Sequence, residues 1–91
     1  MKKIMEKILI YLYKFPYSRK RYIAKAIGLW QCNVNFLHAM NSLNDMGLID
    51  YRTIRDIGNM EYYDEWYLTP LGKSAIIDTE RRNNNGKNYS E

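Results

Sequence analysis

The stretch Ile23-Ala24-Lys25-Ala26-Ile27-Gly28-Leu29 decides how this chain folds. Its isoleucines and Ala24 form one side of a predicted helix over residues 19–27. Gly28 ends that helix, because glycine readily adopts the left-handed conformation found after helix ends. Ala24 is small at the point where a second helix must cross, and the glycine follows four residues later. This spacing is typical of a helix-turn-helix motif.

A third helix is expected after a turn at residues 29–33, and it continues to about residue 46, where Gly47 ends it. Its expected inward residues are Phe36, Leu37, Met40 and Leu43. Leu29, Val34 and Leu37 are expected to close the core between the two helices. The register at the start of the third helix stays open. Counting back from Gly47 makes Phe36 the first core residue, whereas counting forward from Ala24 makes it Val34.

The N-terminal residues 2–14 are predicted to form a first helix, which Phe15-Pro16 stops because a residue before proline avoids the helical conformation. One apolar stripe contains Ile4, Ile8, Tyr11, Leu12 and Phe15. A second apolar face contains Met5, Leu9, Ile10 and Tyr13. A helix that is apolar nearly all round needs two buried faces. We therefore expect the second face, together with Ile77 of the last helix, to form a homodimer interface.

The periodicity changes to two after Gly47, which predicts strands over residues 48–54 and 60–68. Residues 56–59 are expected to form the connecting hairpin turn, with Gly58 at positive φ. Thr69-Pro70 is an N-cap followed by proline at the first helical position. The helix that it opens is predicted to extend to about residue 80, with Leu71, Ala75 and Ile76 inward. Residues 1–80 thus form one domain, and residues 81–91 have no pattern and are expected to be disordered.

The net charge of +4 hides two halves of opposite sign. Residues 1–44 carry eight Lys or Arg against a single Glu, a net charge of +7, whereas residues 45–80 have a net charge of −5. A basic half indicates a polyanionic partner on one side of the molecule.

Composition also excludes several function classes. One cysteine and one histidine build neither a disulfide nor a multi-ligand metal site, so no metal and no cofactor is predicted. No catalytic constellation is present, so we do not expect an enzyme. No apolar run approaches the length of a membrane span, and a cytoplasmic protein is expected.

Two further segments complete a pattern that resembles a known family. Leu43 to Ile49 reads L-x-x-x-G-L-I, and Trp66 to Gly72 reads Y-x-L-T-x-x-G with Trp in place of Tyr. With the helix-turn-helix stretch before them, they resemble the winged helix-turn-helix transcription regulators of the MarR, PadR and ArsR type. The size is similar to that of single-domain members from archaeal viruses, phages or plasmids.

The resemblance implies an α+β winged helix-turn-helix fold: three helices, a two-stranded β-hairpin wing and a C-terminal helix. It implies a homodimeric, sequence-specific regulator that reads double-stranded DNA in the major groove with the third helix, over about residues 33–46, at a pseudo-palindromic site. No small-molecule effector is predicted. The alternative is a winged-helix protein-interaction module, for example a viral antagonist of a host protein, which would act in the host cytoplasm.

The expected base-reading residues are Gln31, Asn33, Asn35 and His38. Asn and Gln form paired hydrogen bonds with adenine, and residues 31–44 contain no charged side chain, so we expect an A/T-biased site.

The expected phosphate-contacting residues are Ser18, Arg19, Lys20, Arg21, Lys25, Arg55 and Asn59. Ser18 is predicted to cap the second helix, and the three cations after it fill the first turn, where a bound phosphate would also meet free backbone N–H groups. The contribution of the wing is expected to be small, because carboxylates surround Arg55 and Asn59.

Overall fold

The computed structural model describes residues 3–78. Helix α1 (Lys3–Lys14), helix α2 (Lys20–Ala26) and helix α3 (Val34–Asp45) precede strands β1 (Ile49–Asp56) and β2 (Glu61–Leu68). Residues 70–78 are helical and form α4. The predicted α+β class and element order are confirmed. The predicted helix end near residue 80 and the tail at 81–91 lie outside the described residues, and none of the described helices is long and apolar enough to cross a membrane.

The two strands form an antiparallel hairpin whose register runs from Ile49 opposite Leu68 at its base to Asp56 opposite Glu61 at its tip. The tip is a four-residue loop at 57–60. Gly58 was expected to supply the positive φ there, and this was wrong, because Met60 holds the left-handed conformation with a φ of 54°. The Asp56 carboxylate organises the loop by accepting a hydrogen bond from the N–H of Gly58 at 3.0 Å.

A backbone bridge joins the segment before α2 to the hairpin. The Ser18 N–H donates to the Trp66 carbonyl at 3.1 Å, and the Trp66 N–H donates to the Ser18 carbonyl at 2.8 Å. Ser18 was expected to cap α2, and this was wrong. The N-cap position is Arg19, which makes no side-chain cap, and the Ser18 hydroxyl donates instead to the Phe15 carbonyl at 2.7 Å.

The turn of the helix-turn-helix is closed in the way that Gly28 predicted. Gly28 has a φ of +79°, its N–H donates to the Lys25 carbonyl, and the N–H of Leu29 donates to the Ala24 carbonyl at 2.8 Å. These two bonds satisfy the last carbonyls of α2 and redirect the chain towards α3. Gly47 repeats the arrangement at the end of α3.

Asn33 starts α3. Its side-chain Oδ1 accepts the N–H of Phe36 at 3.0 Å, which satisfies one of the unpaired donors of the first turn. The helix therefore begins at Val34 and places Phe36 in the core, where it is fully buried. This resolves the register of α3 in favour of Phe36. The expectation that Val34 closes the core was wrong, because its side chain faces outward.

One hydrophobic core joins all the described elements. Its buried residues are Met5, Ile8, Leu9, Leu12, Ile23, Ala24, Phe36, Ala39, Met40, Leu43, Leu48, Ile49, Trp66, Leu68 and Ile76. Met5 and Leu9 were assigned to a dimer interface, and this was wrong: α3 and β2 both pack on α1 and cover these residues within the chain. Phe15 and Leu71 were expected to face inward and are exposed.

The first turn of α4 is fastened to the turn that precedes β1. The Thr69 hydroxyl accepts the N–H of Gly72 at 3.1 Å, as predicted for an N-cap, and donates to the Gly47 carbonyl at 2.6 Å. A Cβ on Gly72 would overlap the Leu48 carbonyl oxygen, so only glycine allows this close approach.

Substitution Gly72→Ala should destabilise the fold by about 3 kcal/mol, because the rigid backbone at Leu48 has to move to admit a methyl group. Urea unfolding followed by circular dichroism measures this change. Gly58→Ala is the matched control and should stay within about 1 kcal/mol, since Gly58 has no positive φ and an added Cβ would meet only the Asp56 side chain. Equal midpoints for the two variants would contradict the close-packed junction.

Substitution Asn33→Ala should cost about 1 kcal/mol of stability, because it removes the N-cap of α3. The same unfolding experiment measures the loss. Asn41→Ala, at an exposed position inside α3, should not lower stability, since alanine is the better helix former. If Asn33→Ala unfolds at the wild-type midpoint, the cap does not stabilise the helix.

Candidate nucleic-acid interface

Three consecutive cations, Arg19, Lys20 and Arg21, lie at the start of α2, and we call them the cation cluster. Tyr17, with a φ of 62°, turns the chain, and the Ser18 bridge then fixes where α2 begins. The first turn of α2 contains no acidic residue. Cations at the positive end of a helix each cost roughly 0.3–1 kcal/mol. The cluster therefore concentrates positive charge that the isolated fold does not favour.

Aromatic rings hold these cations in place. The guanidinium of Arg19 lies 3.6 Å from the ring centre of Tyr63, and the Lys20 ammonium lies 5.2 Å from that of Trp66. The guanidinium of Arg21 lies 4.7 Å from the ring centre of Tyr22 and donates to its hydroxyl at 2.8 Å. Within residues 3–78, none of the three forms an ion pair with a carboxylate. The rings restrict the side chains without neutralising their charge.

A groove of about 250 Å³ separates the start of α2 from β2 and brings a predicted base reader to the cation cluster. Its lining residues are Arg19, Lys20, Arg21, Gln31, Tyr63, Asp64 and Trp66. Gln31 was assigned to base edges from the sequence, and the structure places it beside the phosphate-binding candidates. Asp64 is the one carboxylate of this groove and accepts the Thr53 hydroxyl at 2.8 Å.

Lys25 belongs to a second groove, on the other side of Arg21. This groove measures about 780 Å³, and Tyr22, Trp30 and Gln31 also line it. Trp30 is 80% exposed, although a tryptophan normally buries much of its surface. Sequence reasoning gave Trp30 no role. The groove is therefore an aromatic surface with a basic edge.

The solvent-facing side of α3 has no charged side chain before Asp45, its last residue. Phe36, Ala39, Met40 and Leu43 face the core, and Val34, His38, Asn41 and Asp45 occupy the opposite face. Asn35 is also exposed, but it lies to one side, where a groove of about 700 Å³ separates α3 from the start of α1 and also contains Lys3, His38 and Ser42. Gln31 and Asn35 therefore line different grooves.

Asn33, which was predicted to read bases, is the N-cap of α3. It was assigned to base reading, whereas its Oδ1 is occupied by the cap of α3. The sequence signal was available, because an asparagine immediately before the first apolar residue of a helical pattern is a common helix start.

The wing has fewer available polar groups than its sequence implies. The Nδ2 of Asn59 donates to the Asp56 carboxylate at 3.2 Å, so this predicted phosphate contact is engaged within the loop. Arg52 pairs with Glu65 at 2.9 Å and stacks 3.9 Å from the ring centre of Tyr17. Arg55 is exposed near the tip, opposite Tyr62.

Some of the residues predicted to form a dimer interface are exposed, and others are buried within the chain. Ile10 is 42% exposed on the outer side of α1, and Tyr13 and Ile77 are also exposed. These three remain available to a partner, unlike the buried Met5 and Leu9. Among residues 3–78, no group of His, Cys, Asp and Glu side chains is arranged to hold a metal ion.

No protein-family model matches the chain, and no curated protein matches it either. Several solved structures do match the chain. A MepR variant from a multidrug-resistant S. aureus clinical isolate superimposes with a TM-score of 0.83 at 16% identity, over 98% of this chain and 62% of that one. The MarR family transcription regulator SP03579 matches with a TM-score of 0.73 at 22% identity, over 96% of this chain and 54% of that one.

The transcriptional repressor CouR, solved bound to a 23-mer DNA duplex, matches with a TM-score of 0.70 at 18% identity. The match covers 89% of this chain and 54% of CouR. The chain thus spans less than two thirds of the length of these three proteins. At such low identity the likeness establishes the fold, which is the winged helix-turn-helix fold of MarR-family transcriptional regulators.

Proposed function

We propose that this chain is a transcriptional regulator that binds double-stranded DNA sequence-specifically, with α3 in the major groove. The observation that carries the proposal is the placement of the unpaired cation cluster beside the turn that leads into α3, whose residues before Asp45 carry no charged side chain. Phosphate contacts position such proteins, and base contacts on the second helix of the motif specify the site. CouR, which shares the fold, is bound to a DNA duplex.

The proposed site is A/T-biased. Asn35 and His38 are exposed along the first half of α3, and Gln31 lies just before it. Asn and Gln side chains pair with adenine, whereas guanine is most often read by Arg or Lys, which residues 31–44 lack. The proposed base-reading residues are these three and not Asn33, because the Asn33 oxygen caps the helix.

The proposed phosphate contacts centre on the cation cluster and on Lys25, which lines the groove next to Arg21. The Ser18 hydroxyl is engaged with the Phe15 carbonyl, so its contribution would come only through the segment that it fixes. On the wing, Arg55 is the stronger candidate and Asn59 the weaker one, because the Asn59 amide is held by Asp56.

The proposed assembly is a homodimer on a pseudo-palindromic site, with half-sites about one helical turn apart. The exposed Ile10 and Tyr13 of α1 and Ile77 of α4 form the proposed contact surface. A two-fold axis would bring the same surface of each copy together.

The double variant Lys20→Ala/Arg21→Ala should flatten the salt dependence of DNA binding. Each lost phosphate contact lowers the slope of log K against log salt by about 0.9, so the slope should fall by nearly 2. Fluorescence anisotropy with a labelled duplex, selected from a random pool and titrated at several salt concentrations, measures this slope.

Lys7→Ala/Lys73→Ala is the charge-matched control, with both residues exposed and outside the helix-turn-helix. It should leave the slope nearly unchanged. Asn35→Ala should act differently, by relaxing sequence preference while the slope stays the same. Failure to select any duplex, or equal slopes for the two double variants, would refute the proposed function.

Substitution Ile10→Glu should weaken self-association about thirty-fold or more, because it places a charge in a contact that excludes water. Sedimentation velocity over a concentration series measures the change. Ile57→Glu at the wing tip is the control, since Ile57 is exposed and lies away from α1, and it should sediment as the wild type does. An unchanged dimer in Ile10→Glu would contradict the α1 interface.

A protein-interaction module is the second candidate, and the exposed Trp30 favours it. Trp30 and Tyr22 present aromatic surface in the groove that contains Lys25. Tryptophan and tyrosine are the residues most enriched at energetically important positions of protein interfaces. In this case Trp30→Ala would abolish binding of the protein partner, and selection from a random pool would yield no duplex.

A further inference from the structure

Val34 is a large apolar side chain in a place where the fold does not need one. It is the first residue of α3 and is 65% exposed. It lies on the face opposite the buried Phe36 and Met40, on the same side of the helix as His38 one turn later. The neighbouring core is already closed by Leu29 and Leu37, which pack against it while partly buried. Val34 therefore contributes little to the hydrophobic core.

The two ends of this helix face differ in charge. Asp45 lies on the same face near the C-terminal end of α3, where its carboxylate would repel phosphates. Gln31, three residues before Val34, lies in the groove of the cation cluster. The N-terminal end is therefore the end that a DNA duplex can approach, and Val34 lies there.

Resting on the proposed function, we propose that Val34 is a specificity-determining residue that packs against the C5 methyl group of thymine. Thymine carries the one methyl group that unmodified bases present in the major groove, and apolar side chains recognise it by contact. Asn35 follows directly and can bond the edge of an adenine. Together these two neighbours read the methyl group and the adenine edge of A·T pairs.

The test replaces each thymine of the selected duplex in turn by deoxyuridine, which keeps base pairing and removes only the methyl group. One or two positions in each half-site should lose about four-fold in affinity, the equivalent of one buried methyl group. In Val34→Ala the same replacements should have a clearly smaller effect, because both γ-methyl groups are removed. Val34→Thr retains one methyl group and should keep part of the discrimination.

Both variants are expected to fold, because Val34 is exposed and alanine is the better helix former, and circular dichroism checks this. Ile57→Ala is the matched control, since Ile57 is an 80% exposed aliphatic residue outside α3 and should not change the thymine-to-uracil ratio.

Sequence-specific binding with no deoxyuridine effect at any position would overturn the role of Val34 and leave the proposed function standing. A deoxyuridine effect that is undiminished in Val34→Ala would also overturn it, because another group would then contact the methyl. Loss of self-association in Val34→Ala would assign this face to a second copy of the chain and overturn the proposal as well. Absence of any selected duplex would refute the proposed function itself.

Discussion

The two backbone hydrogen bonds between Ser18 and Trp66 join the two functional parts of this molecule. On one side of the bridge, α2 begins at once with the cation cluster. On the other side, Trp66 is buried in the core and continues into the base of the hairpin. Each bond contributes only about 1 kcal/mol net. Their larger effect is geometric, because they fix the start of α2 relative to the wing.

The cations depend on this bridge for their positions. Arg19 stacks on Tyr63 and Lys20 lies over Trp66, and both rings belong to β2. If the strand were separated from the start of α2, neither ring would be in reach. The stacked rings limit the rotamers of long side chains whose ordering upon binding otherwise costs entropy. Strand β2 thus supplies the rings that position Arg19 and Lys20, whereas the positive charge comes from α2 and the residue before it.

Three carboxylates of the second half are engaged inside the hairpin. Glu65 pairs with Arg52, Asp64 accepts the Thr53 hydroxyl, and Asp56 organises the loop at the tip. They therefore stabilise the hairpin locally and give it a surface that a phosphate backbone would not favour. In the fold, the basic half supplies the cation cluster at the helix-turn-helix, and the hairpin carries these carboxylates, of which Asp64 lines the groove of the cluster.

Helix α1 shows how a single chain can use two apolar faces. Met5 and Leu9 face α3 and β2 within the molecule, and burying each contributes roughly 1.5–3 kcal/mol. Only Ile10 and Tyr13 remain outside. An apolar helix predicts that two faces are covered, but periodicity does not distinguish a neighbouring element from a second copy. The sequence pattern therefore predicted a larger dimer surface on α1 than the fold leaves exposed.

The sequence by itself determined the features that depend on a few neighbouring residues. The turn at Gly28, the cap at Thr69 and the hairpin between Gly47 and Thr69 all follow from local conformational preferences and short-range hydrogen bonds. The separation of charge is a property of composition along the chain. These features were predicted because each is complete within one turn or one strand pair.

Only the tertiary structure decided the roles of Ser18 and Val34 and the covered side of α1. Ser18 suits a helix cap, but its backbone pairs with Trp66, which is distant in sequence. For Val34, counting from Gly47 and counting from Ala24 left two registers open, and the fold places Phe36 in the core and Val34 outside it. Such choices depend on competition between elements for the same buried volume, and local patterns contain no information about which element wins.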